Sequence, residues 1–191
     1  MKGISGKYMI VILLASLYLA SCNTPMPPSD EQMIRHFTQH ATAFEEIRSI
    51  IDRCPYGRYY PPYDKQDTAC LRGITIEDRE RLDSLLAEIG SERIFYLGKE
   101  WKRQMRKTSG WNGWNGCDTT YTSFTISYYS HGYSIGGTTK DFVYDPGLKD
   151  NRTIQITEKG DLNAIYRQNF NDTTLYKPIQ GDWYIKLTHD N

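Results

Sequence analysis

Ser29-Asp30-Glu31-Gln32-Met33-Ile34-Arg35-His36-Phe37 is the stretch on which the fold class turns. Ser29 followed three residues later by Gln32 is a capping box. The serine hydroxyl takes an orphan N–H of the first turn, and the glutamine reaches back to the N-cap. Asp30 and Glu31 suit the positive end of the helix dipole. Downstream, Met33, Ile34, Phe37, Ala41, Phe44, Ile47, Ile50 and Ile51 recur at intervals of three and four, which is one apolar stripe. The pattern predicts one amphipathic helix that Pro55 stops near Arg53. A second helix is predicted from Thr75, with Ile76, Leu82, Leu85, Leu86 and Ile89 as its apolar face and Gly90 at its end.

Beyond Gly90 the period changes. Ile94 and Tyr96 suggest a strand, and Lys99 to Lys107 is basic without a clear period. Gly110-Trp111-Asn112-Gly113-Trp114-Asn115-Gly116 reads as a loop. Candidate strands follow at Tyr121–Tyr129, Lys140–Tyr144, Asn163–Gln168, Thr174–Ile179 and Asp182–Thr188. Turns at Gly136-Gly137, Asp145-Pro146-Gly147 and Lys159-Gly160-Asp161 separate them. Helices first and strands afterwards predict an α+β fold, with two N-terminal helices packed on a mainly antiparallel β-sheet.

Upstream of Ser29, Lys2 and Lys7 precede an uncharged apolar run from Tyr8 to Ala20. That run falls short of the ~20 residues a membrane-spanning helix needs, so it reads as an export signal. Leu19-Ala20-Ser21-Cys22 resembles the bacterial lipobox, in which the cysteine thiol takes up a diacylglycerol and the new amino group is then acylated. Residues 1–21 are therefore expected to be a signal peptide and Cys22 the lipidation site. Residues 22–28 form a tether that Pro25, Pro27 and Pro28 keep extended, and residues 29–191 a single domain. Two or three acyl chains, at roughly 0.8 kcal/mol per buried CH₂, hold such a protein on a membrane. Asn23 stands where aspartate marks inner-membrane retention in some enteric bacteria, so the outer membrane is the expected location.

The 191 residues carry 23 basic and 23 acidic side chains. Loss of Lys2 and Lys7 leaves the mature chain slightly acidic, and no basic stripe points to nucleic acid. Fifteen tyrosines suit sheet surfaces and contact surfaces. Cys54, Cys70 and Cys117 remain after Cys22. In an oxidising compartment, a Cys54–Cys70 disulfide would restrain the Pro- and Tyr-rich loop between the predicted helices, a closure worth ~3 kcal/mol. Cys117 is then a free thiol or the true partner of one of the others. No Cys-x-x-Cys occurs, which removes zinc ribbons and thioredoxin-type chemistry.

With these elements placed, the chain resembles a group of uncharacterised bacterial lipoproteins. The matching residues are Met33-Ile34, Phe37, His40 and Phe44-Glu45, then Phe124-Thr125-Ile126-Ser127, Lys140 with Phe142-Val143-Tyr144, Tyr166-Arg167 and Gly181-Asp182-Trp183-Tyr184. Asp141-Phe142 stands where that group often carries Gly-Tyr. The resemblance implies a fold and a location, and no activity, cofactor or catalytic residue comes with it.

Three constellations are candidates for chemistry. Gly132-Tyr133-Ser134-Ile135-Gly136 matches the nucleophile elbow of serine hydrolases, with Asp145 and His189 following in hydrolase order. The elbow needs a helix after the serine, whereas Gly137-Thr138-Thr139 leads into β pattern, so a hairpin turn is the weightier reading. His36 and His40 are four apart on one helix and so share a face, which suits zinc, but a third ligand is missing nearby. Ring packing at the stripe's edge is the weightier reading. Trp111, Trp114, Tyr59 and Tyr60 can form an aromatic platform for a glycan or an envelope protein, or simply cover the sheet. The sequence thus points to a membrane-anchored, non-enzymatic binding or envelope-structural module without a cofactor. A small esterase using Ser134 is the alternative.

Overall fold

The computed structural model describes residues 26–63, 68, 71–108, 120–133, 136–151, 154–167 and 172–190. Residues 1–21, Cys22, Cys70, Trp111, Trp114, Cys117 and Ser134 lie outside them. In chain order the elements are α1 (Asp30–Gln39), α2 (Ala41–Asp52), β1 (Tyr59–Tyr60), α3 (Ile76–Glu88), β2 (Ile94–Leu97), α4 (Lys99–Thr108), β3 (Ser123–Tyr133), β4 (Gly136–Tyr144), a 3₁₀ turn at Leu148–Asp150, α5 (Leu162–Tyr166), β5 (Thr173–Gln180) and β6 (Trp183–Asp190). Helices dominate the N-terminal part and an antiparallel sheet the rest, so the fold is α+β, as expected.

The capping box forms: Gln32 N donates to Ser29 Oγ at 3.2 Å, and Ser29 N to Gln32 Oε1 at 2.8 Å. The expected single helix is broken at His40, whose backbone leaves helical geometry (φ −115°, ψ 22°). Thr38 Oγ1 bonds back to Ile34 O at 2.8 Å, a competing bond that bends helices, just before the break. Both pieces still bury the stripe: Met33 and Phe37 on α1, Phe44, Ile47 and Ile51 on α2. Thr75 caps α3 by accepting from Asp78 N at 3.0 Å. Gly90 ends it at φ +64°, with Gly90 N on Ala87 O and Ser91 N on Leu86 O, the paired bonds of a Schellman end.

Among the described residues the strands make one six-stranded sheet, ordered β1-β2-β3-β4-β6-β5 and antiparallel throughout. Side chains alternate across it. Ile94, Ile126, Phe142, Ile185 and Leu187 face the helices and join Phe37, Phe44 and Leu82 in the main core. On the other face Val143, Leu148 and Tyr184 make a second, smaller cluster, flanked by Ile154, Ile156 and Tyr176.

Three local expectations are corrected. Asn163–Gln168 is not a strand: Asp161 caps the short helix α5, accepting from Asn163 N at 2.8 Å. Gly136 and Gly137 lie within β4 and not in a turn. Lys99–Lys107 is helical, with Glu100 N and Trp101 N both donating to Pro55 O. No helix among the described residues is long and apolar enough to cross a membrane.

Where the chain enters the fold, a buried polar cluster holds it. Lys140 is fully buried, and its ammonium meets Asp30 Oδ1 at 2.7 Å, Pro28 O at 2.7 Å and Asn163 Oδ1 at 2.9 Å. Asn163 Nδ2 donates to Pro27 O, and Asp30 Oδ2 accepts from Leu162 N and pairs with Lys177 at 3.1 Å. Burial pulls the Lys140 pKa below the usual lysine range, against the opposing pull of Asp30. Lys140 shares its strand face with Phe142, so this clamp sits on the helix side of the sheet.

Candidate functional site

The sheet face turned away from α1, α2 and α3 carries a groove of ≈ 520 Å³, within the range of small-molecule sites. Strand alternation builds its floor: Phe95 and Leu97 of β2, Ser123 and Thr125 of β3, and Val143 of β4. Arg58, Tyr59 and Tyr63 with Trp101 of α4 line one flank. Leu148 and Tyr176 line the other, and Asp145 also borders it. Tyr63 is 64% exposed and Phe95 40%, unusual values for rings of this size. Tyr63 lies 4.8 Å from Tyr59 and 6.5 Å from Phe95, centroid to centroid. The guanidinium of Arg93 sits 3.7 Å above Tyr63, and that of Arg58 5.2 Å above Trp101, both within cation–π range.

Asp145 is half-buried. It accepts from Gly147 N at 3.0 Å and from the Tyr121 hydroxyl, with the Lys102 charge nearby. Burial nevertheless holds its pKa above the usual carboxylate range, outweighing those bonds. The phenols of Tyr176 and Tyr184 are also raised, first by burial, then by the Asp145 charge at Tyr176 and by the Asp182 charge ahead of Asp145 at Tyr184. Gly147 makes this packing possible: a Cβ there would stand 1.9 Å from the Tyr121 hydroxyl. Lys102 is buried to 2% exposure and donates to Tyr121 O at 3.0 Å. The groove thus combines exposed rings with hydroxyls, a carboxyl group and a surface guanidinium.

Of the aromatic platform expected from sequence, Tyr59 lies on the groove. Tyr60 does not. It is 2% exposed, and its hydroxyl donates to Asp83 Oδ1 at 2.6 Å, because pairing with Ile94 turns it to the helix face. The hydrolase constellation is not assembled. Asp145 follows the end of β4, whereas His189 pairs with Thr138 near its start, roughly 20 Å away at strand rise. His189 Nδ1 instead shares a 2.8 Å hydrogen bond with Thr138 Oγ1.

His36 and His40 do come together, at 4.7 Å between rings. Yet His36 Nε2 is engaged by Ile89 O at 3.0 Å, its ring packs on Tyr128 and Phe142, and His40 Nδ1 lies 3.5 Å from Glu88. Burial keeps the His36 pKa below its ordinary value. No group of three or more candidate metal ligands occurs among the described residues. Among the described residues Cys54 is a buried thiol without a disulfide partner; it donates to Ile50 O at 3.1 Å, burial pushes its pKa up to about 11, and its expected partner Cys70 lies outside the described residues.

Phe95, Trp101, Tyr176 and the groove role of Asp145 were not foreseen. One signal pointed to Phe95: Ile94-Phe95-Tyr96-Leu97 is apolar on both strand faces, so something beyond the main core had to meet the outer one.

A family model described as a domain of unknown function (DUF4948) matches residues 26–191, and the chain belongs to that family. No curated protein and no solved structure matches it.

Proposed function

We propose that this member of the DUF4948 family is a bacterial lipoprotein, cleaved before Cys22, anchored through lipid on that residue, and working as a non-enzymatic binding module of the cell envelope. The observation that carries the binding reading is the groove. Large rings exposed beside a half-buried carboxyl group on a rigid sheet are a surface that stays costly until something covers it. The anchor reading rests on the sequence, in the short apolar leader and Leu19-Ala20-Ser21-Cys22.

The clamp at Pro27 and Pro28 supports the combination. Five residues from Cys22 to Pro27 span at most ~18 Å, so a lipid there would hold the body close to a bilayer. Pro28 is gripped on the helix side of the sheet by Lys140, while the groove opens on the opposite side. The membrane would then lie away from the groove, leaving it open to a ligand. Asn23 favours the outer membrane.

Two measurements test this. A clickable palmitate analogue fed to cells should label the chain and fail to label Cys22→Ala. A photo-crosslinking residue at position 95 should form adducts in intact cells that the same residue at Ile76, exposed on α3, does not. Labelling of Cys22→Ala would end the anchor reading, and identical adducts from both positions would end the groove reading.

A further inference from the structure

The groove's chemistry narrows what can fill it. A cationic ligand is disfavoured, because Arg93 already covers Tyr63 and Arg58 already covers Trp101, so positive charge stands at the rim. A wholly apolar ligand is disfavoured because Ser123, Thr125 and Asp145 would lose water without gaining partners. A peptide adding itself as a strand is disfavoured because the floor runs across β2, β3 and β4, whose backbones are already paired.

What remains is a ligand with flat C–H faces and several hydroxyls. Sugar rings meet that description: one face stacks on an aromatic ring, and the hydroxyls donate to a carboxylate and accept from a guanidinium. Resting on the binding reading above, we infer that the groove is a saccharide site. Phe95 and the face of Tyr63 that Arg93 leaves uncovered are the stacking surfaces, Asp145 accepts from the sugar hydroxyls, and Arg58 donates to them. The groove is open, so it takes an internal stretch of an oligosaccharide as well as a chain end. Asp145 retains capacity for a ligand, since a carboxylate has about four acceptor sites and Gly147 and Tyr121 occupy only part of them.

The experiment is isothermal titration of the full chain, in a detergent without a sugar headgroup, with chitotetraose, cellotetraose, maltotetraose and mannotetraose. At least one should bind saturably, and Tyr63→Ala, Phe95→Ala and Asp145→Asn should each weaken it about tenfold or more. Tyr63 is mostly exposed, so its variant keeps the fold. Circular dichroism melting of all three variants guards against unfolding. Absence of saturable binding by all four sugars at millimolar concentration overturns the inference, as does binding that all three variants leave unchanged. If the sugars fail while the crosslinker at position 95 still captures an envelope protein, the saccharide site falls and the binding module stands. If both fail, both readings fall.

Discussion

The indole Nε1 of Trp183 donates a 2.7 Å hydrogen bond to Oε1 of Glu45, tying the last strand to the second helix. Trp183 is 2% exposed and packs against Phe37, Phe44, Phe124 and Tyr144 at 5.3–5.4 Å between rings. Glu45 also holds Arg48, whose guanidinium lies 5.5 Å above Tyr144. Glu45→Ala should cost about 1–2 kcal/mol, since it strands a largely enclosed donor, and Glu45→Gln less, since its amide oxygen still accepts. Urea unfolding of the two variants against the parent measures this. Equal losses would show that the charge, not the acceptor, matters.

Lys140→Met is expected to be far more damaging. It leaves the 2% exposed Asp30 carboxylate with Lys177 as its remaining cation and frees Pro28 O. Breaking a buried pair in this way costs about 3–5 kcal/mol. Limited proteolysis should also cut sooner before Ser29, because the clamp that holds the entering chain is gone. Melting temperature and cleavage rate report the two effects separately.

Asp141 makes stability fall with rising pH. Burial pushes its pKa up to about 6 from an ordinary 3.8, although it accepts from Tyr128 N at 3.2 Å in the β3 bulge. The folded state therefore holds a proton that the unfolded state has released. Its contribution is best below about pH 4 and is lost as pH rises through 6. Asp141→Asn keeps the acceptor and removes the charge. It should stabilise by about 2 kcal/mol at pH 7.5 and by much less at pH 4. Denaturant midpoints at the two values decide it.

His36 acts in the opposite sense. Burial lowers its pKa below the ordinary 6.5, so the folded state disfavours the proton that the unfolded state takes up. The stability it contributes is present above pH 6.5 and is lost as pH falls below that. His36→Gln should flatten the acid limb of the stability curve between pH 6.5 and 5. Zinc at equimolar concentration should leave the melting temperature of the parent unchanged. A rise that disappears in His36→Ala would instead establish a metal site on His36 and His40.

Much of this arrangement was readable where one physical signal dominated. Ser29 and Gln32 marked a helix start because capping is a local hydrogen-bond problem, solved within four residues. Gly90 marked a helix end for the same reason. β4, β5 and β6 were found because alternation spans enough residues to be seen. Asn163 was misread as strand, because the Asp161 cap that nucleates α5 was read as part of a turn. α4 was missed because its inward face includes Lys102, whose buried ammonium bonds Tyr121 O, and a pattern search counts a lysine as solvent-facing.

The sequence alone carried the order of helices before strands, the caps and most of the strands, because each follows from contacts close in sequence. Only the tertiary structure decided that Tyr59 faces the groove while Tyr60 is buried, and that Asp145 and His189 stand at opposite ends of β4. It alone put Phe95, Trp101, Tyr176 and Asp145 around one hollow. These are matters of register and of strand order, set by pairings between residues tens of positions apart. A one-residue change in register would have turned each side chain to the other face, and the local sequence would read the same.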